Sequence, residues 1–139
     1  MNNPNYYRSN TFKLKGSSRL EIERKAKRYY NEIDKRTEHR QTFVRSAYFG
    51  KEKVFLKTFW DHIYKKTPKD RERRLRYYIC AIDLIINTRC HPTEKPSGKE
   101  TLYRFYGLSK EKDAFIVQIR KDKDNQKFHM SVFPPHHKT

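Results

Sequence analysis

Lys127–Pro135 reads KFHMSVFPP, and the way this stretch is read decides the fold. Phe128, Met130 and Val132 alternate with His129 and Ser131, the period-two pattern of a β-strand that buries one face. The alternation predicts the three apolar side chains in a core and the imidazole and hydroxyl together on the opposite face. Such a pair marks either a solvated edge or an active site.

Two earlier runs extend the pattern. Thr101–Gly107 (TLYRFYG) and Ala114–Arg120 (AFIVQIR) are rich in β-branched and aromatic residues. The short polar segments LSKEKD and KDKDNQ separate the three runs and suit hairpins. With Phe115, Val117 and Ile119 inward, Gln118 and Arg120 share the outer face with His129 and Ser131. With Tyr103 and Phe105 inward, Arg104 and Tyr106 join them. The expected late architecture is therefore a small antiparallel sheet with a polar, cationic face.

Upstream the period changes. Ser18–Arg36 (SRLEIERKAKRYYNEIDKR) is helical, with Leu20, Ala26 or Lys27, Tyr30 and Ile33 as a loose apolar stripe on a strongly charged helix. Thr42–Lys57 (TFVRSAYFGKEKVFLK) reads as two short strands joined at Gly50. Thr58–Lys66 (TFWDHIYKK) forms a short helix with Thr58 as N-cap and Asp61 three residues on. Thr67–Thr88 repeats the device, with Thr67 as cap, Pro68 in the first turn and Asp70 at the third position. In that helix Leu75, Tyr78, Ile79, Ile82 and Ile86 make one apolar face, while Lys69, Arg71, Arg73, Arg74 and Arg76 crowd its first turns. Arg89–Gly98 (RCHPTEKPSG) reads as a loop.

The pattern divides the chain into a flexible arm at 1–17, a basic helix at 18–42, an α+β domain at 43–135 and a tail at 136–139. At 139 residues the chain supports one modest core. Its net charge of +17 points to a polyanionic partner, and both the first 42 residues and the remainder share the basic excess. No apolar run is long enough to span a bilayer, and the first residues lack a signal-peptide core, so a cytoplasmic protein without membrane contact is expected. Cys80 and Cys90 require no disulfide. Together with His91 they lack paired zinc spacing, and His136 with His137 stands alone in the tail, so neither a metal nor a cofactor is expected. Walker, dinucleotide and nucleophile-elbow motifs are missing.

FWDHIYKK on a helix, LYRF and AFIVQIR on middle strands and FHMSVFP on the last strand resemble the barnase, EndoU, colicin and RelE group of small metal-independent ribonucleases. The resemblance covers about residues 43–133 and lies at the level of fold: N-terminal helices followed by a small antiparallel β-sheet. It implies a phage- or toxin-associated endoribonuclease that cleaves tRNA or mRNA, with an antitoxin or immunity protein as a second partner. His62 matches the helix-borne histidine of several members, Ser131 the last-strand hydroxyl, and Arg104, Arg120 and Lys66 the cationic positions. The strand glutamate of barnase-like members has no counterpart beyond Glu100 at a strand boundary, so His62 or His129 serves as base, or electrostatics and positioning carry the catalysis.

The chemistry needs little from the protein. RNA carries its own nucleophile, the 2′-hydroxyl, so catalysis requires proton transfer and charge stabilisation on phosphate, tasks suited to histidine and arginine. The candidate catalytic set is His62, His129, Ser131, Arg104 and Arg120. The candidate nucleic-acid contacts are Lys66, Arg71, Arg73, Arg74, Arg76, Tyr106, Gln118 and Lys123. The alternative is a non-catalytic RNA- or DNA-binding protein whose tyrosines and phenylalanines stack bases, with an antitoxin or structural phage protein as a third reading.

Overall fold

The computed structural model describes residues 5–37 and 41–135. The expected tail at 136–139, with its histidine pair, the first four residues of the arm and positions 38–40 of the basic segment lie outside the described residues. Among the described residues four helices pack on a seven-stranded mixed, curled sheet. The strands are β1 (Tyr7–Arg8), β2 (Phe43–Ser46), β3 (Glu52–Phe55), β4 (Thr93–Ser97), β5 (Glu100–Leu108), β6 (Ala114–Lys121) and β7 (Lys127–Phe133). The helices are α1 (Arg19–Arg36), α2 (Lys57–Ile63), α3 (Pro68–Leu75) and α4 (Tyr78–Asn87).

The sheet corrects the expected small antiparallel one. Its order is β1-β5-β6-β7-β3-β2 with β4 also on β5, and two of its pairs, β1 with β5 and β3 with β7, are parallel. The late three-strand meander exists, but the early hairpin joins it edge to edge through β3. Glu52 on β3 and the buried Lys127 on β7 form an ion pair beside this junction. Residues read as a loop form β4, an exposed edge strand whose Pro96 is tolerated because an edge has spare N–H groups.

From residue 5 onward the arm, expected to be flexible, pairs with the rest of the fold. β1 pairs with β5, Ser9 N donates to Leu108 O at 2.9 Å, and Leu14 N donates to Arg76 O at 2.7 Å. Tyr7 Oη and Ser9 Oγ both donate to the Asp83 carboxylate, at 2.9 and 2.7 Å. Burial, followed by the hydrogen bond to Asp83, raises the Tyr7 phenol well above its ordinary range and keeps it a donor.

Ser18 caps α1 by accepting from Glu21 N at 3.1 Å, and the buried stripe is Ile22, Ala26 and Ile33. Leu20 is out on the surface, because the stripe starts two residues later than the sequence pattern indicates. α2 begins one residue before Thr58, with Leu56 at the N-cap position and no side-chain cap. The single helix expected over 67–88 is broken at Arg76–Tyr77 into α3 and α4. α4 buries Tyr78, Cys80, Ala81, Ile82, Leu84 and Ile85, leaving little polar surface, whereas in α3 only Leu75 is buried. One straight rod could not hold an arginine-rich half at the surface and run its other half through the core, so the chain bends between them. At Gly107 a Cβ would meet Phe115 Cζ at 2.5 Å and Leu84 Cδ1 at 2.9 Å, so α4 and the sheet close over a position that only glycine fits. Among the described residues no helix is long and apolar enough to cross a membrane.

Candidate functional site

Strand β7 carries one residue too many for its partner. Gln118 faces Ser131 and Ile119 faces His129, so Met130 is an inserted bulge residue. The bulge changes the parity of the strand. His129 and Val132 both point inward, while Ser131 and Phe128 are on the outer face. The expected His129–Ser131 pair is therefore split, and Phe128 and Met130 leave the core positions assigned to them.

His129 has no exposed surface and stacks on Phe59, ring centroids 4.7 Å apart and 8° from parallel. Neither ring nitrogen has a hydrogen-bond partner among the described residues. Burial lowers its pKa to about 3, opposed only by the nearby Ser131 backbone, so the ring is neutral at physiological pH. In this arrangement it packs, and it cannot touch a substrate.

The outer face of the sheet meets the α2–α3 corner in an open cleft of about 350 Å³. His62 and Lys66 reach it from α2 and the turn after it, Arg74 from α3, and Arg104, Gln118, Met130, Ser131 and Phe133 from the sheet. The cross-strand row Arg104–Gln118–Ser131 forms its floor. Arg104 Nε donates to Gln118 Oε1 at 3.1 Å, and Arg74 Nη1 donates to Ser131 Oγ at 3.4 Å. Both guanidinium groups lie over the Phe133 ring, 5.4 Å and 5.5 Å from its centroid. Asp70 orients Arg74 through its Nε at 3.1 Å and also binds Arg73 at 2.6 Å. Partial burial works against ionisation of Asp70, but these two arginines outweigh it and hold the carboxyl below its ordinary range. Thr67, whose Oγ1 accepts from Asp70 N at 3.3 Å, caps the helix that delivers Arg74.

The remaining candidates lie elsewhere. Arg71 Nη2 donates to Lys66 O at 3.1 Å and pairs loosely with Glu23 at 3.8 Å, which staples the turn that presents Lys66. Arg76 is committed to Leu14 O and Glu72, at 3.2 and 2.6 Å, and Arg73 to Asp70. Arg120 lies one same-face row away from the cleft, 3.8 Å from Glu100 and over the Phe128 ring. Tyr106 is on the outer face within 3.2 Å of Thr93 Oγ1, and Lys123 is exposed on the β6–β7 turn. Phe133, Met130 and Asp70 are not among the site candidates that the sequence offers, whose pattern puts Met130 in the core and Asp70 in the first turn of a helix. Nothing in FHMSVF signals a bulge, and only the bulge brings Met130 to the cleft.

A larger cleft, about 740 Å³, lies between the C-terminal ends of α1 and α4 and the β2–β3 hairpin. Arg36, Arg45, Lys51 and Arg89 line it, and no histidine or carboxylate does among the described residues. No group of three or more potential metal ligands is present among the described residues. Comparison with known proteins returns no matching family model, curated relative or solved structure, so the functional reading is carried by the residues themselves.

Proposed function

We propose that the protein is an endoribonuclease that works by attack of the RNA 2′-hydroxyl on the adjacent phosphate. The observation that supports this is that three cations, Lys66, Arg74 and Arg104, line one cleft with His62 and the Ser131 hydroxyl, and no described carboxylate lines it. A phosphodiester is the ligand such a set favours, since planar guanidinium groups and a hydroxyl complement its oxygens. In this reading His62 takes the 2′-hydroxyl proton as the O2′–P bond forms. Lys66 gives a proton to the 5′-oxygen as the P–O5′ bond breaks. Arg74 and Arg104, both held by neighbours before substrate arrives, offset the charge that builds on the phosphate. The products are a 2′,3′-cyclic phosphate and a 5′-hydroxyl, and the chemistry does not depend on a metal.

Incubation of the protein with total RNA in EDTA, followed by analysis of product ends, tests the proposal. Discrete fragments ending in 2′,3′-cyclic phosphate are expected, with cleavage reduced about 10²-fold or more by His62→Ala. Intact RNA retained on the protein would refute cleavage and assign a binding module instead.

A further inference from the structure

We propose that the outer face of the sheet beside the cleft is a stacking platform for single-stranded RNA, built on Phe55, Phe128 and Arg120. The proposal rests on the reading of the cleft as an RNA site and deepens it by saying how nucleotides next to the bound phosphate are held. Phe55 on β3 faces Phe128 on β7, Phe128 faces Arg120 on β6, and Arg120 faces Leu102 on β5. Directly opposed residues share a face, so this is one continuous row across four strands. The Phe55 and Phe128 rings are 5.8 Å apart and tilted by 37°, and the Arg120 guanidinium lies 4.9 Å from the Phe128 centroid.

These rings do not serve the core. Phe55 and Phe128 are half-buried and belong neither to the buried cluster nor to the partly buried side chains packed against it. On the other face Phe59 of α2 stacks on His129 and Leu84 of α4 approaches Gly107, whereas α3 meets the outer face at the cleft, where Arg74 reaches Ser131. Aromatic side chains presented on an open sheet face, interleaved with cations, match the surfaces on which unpaired bases stack.

The position suits the chemistry. Arg120 follows Gln118 on the same face of β6, two strand rises or about 7 Å from the floor of the cleft. A strand whose phosphate sits between Arg74 and Arg104 can therefore lay its next base on Arg120 and Phe128. Glu100 is 3.8 Å from Arg120 and its side chain is 45% exposed, too wet to cancel the charge. Charge complementarity favours a polyanion on this face, and the rings favour one with exposed bases. A duplex hides its base faces, and an acidic peptide has none.

The test uses His62→Ala protein, to keep RNA intact, and a fluorescein-labelled 12-nucleotide single strand followed by anisotropy in low and physiological salt. Phe55→Leu and Phe128→Leu keep apolar bulk but remove the ring. Each should raise Kd about fivefold or more at both salt concentrations, the lower end of what one stacked base contributes. The slope of log affinity against log salt should not change, because no phosphate contact is lost. Phe128→Tyr, which keeps a ring, should bind as the parent does, and thermal melts identify any variant that fails to fold. Leu variants that are folded and bind the single strand within twofold of the parent overturn the platform. So does an equal loss of affinity for duplex RNA, or a loss for poly-glutamate alone. If the His62-intact protein does not cleave RNA but the Leu variants lose affinity, the platform stands and the cleavage reading fails; if it cleaves and the variants bind normally, the reverse holds.

Discussion

Lowering the pH should destabilise this protein through His129, and the size of the effect follows from where the ring sits. The folded state holds the imidazole with no exposed surface, without a hydrogen-bond partner among the described residues, and with its pKa lowered to about 3 from an ordinary 6.5. Between these two values the unfolded chain binds a proton that the folded chain refuses. Stability therefore rises with pH across this window. The contribution is fully present above pH 6.5 and is lost as pH falls toward 3. Each pH unit in the window removes about 1.4 kcal/mol, so the whole interval amounts to roughly 5 kcal/mol, comparable with the total stability of a small domain. Urea titrations of the wild type and His129→Leu at pH 7, 6, 5 and 4 isolate the effect, since other groups titrate alike in both. The stability of His129→Leu relative to the wild type should improve by about 1.4 kcal/mol per unit below pH 6.5, whatever their offset at pH 7. A difference that is flat from pH 7 to pH 4 would show that the imidazole reaches solvent and that the inward assignment is wrong.

Gly107→Ala should destabilise the fold by about 1–3 kcal/mol, read as a lower urea midpoint, because the new methyl meets Phe115 and Leu84 at 2.5–2.9 Å. An unchanged midpoint would mean that α4 is not seated on β5 as described. Thr67→Ala should cost about 1 kcal/mol by removing the cap that accepts from Asp70 N. A melting temperature equal to that of the wild type would argue against that cap.

Some element boundaries were legible because they depend on local chemistry. Ser18 and Thr67 cap the helices they precede, Gly50 turns the early hairpin with φ of 64°, and the three late strands run where their β-branched and aromatic residues lie. The faces of β5 and β6 were legible too, since an unbroken strand keeps its period of two, and both place Arg104, Tyr106, Gln118 and Arg120 outward.

What tertiary structure alone decided depends on contacts between segments far apart in sequence. The pairing of β3 with β7 joins Val54 to Lys127 across the helices and the meander, and no local pattern specifies it. The bend at Arg76–Tyr77 arises because α4 must enter the core while α3 stays wet. The same holds for the cleft: His62, Lys66, Arg74, Arg104, Gln118 and Ser131 are separate candidates in the sequence, and the seating of the α2–α3 corner against β7 brings them together. His129 and Ser131 show the limit most directly. Their spacing of two residues places them on one face of any regular strand, and the single residue inserted between them in the pairing with β6 sends one into the core and leaves the other in the cleft.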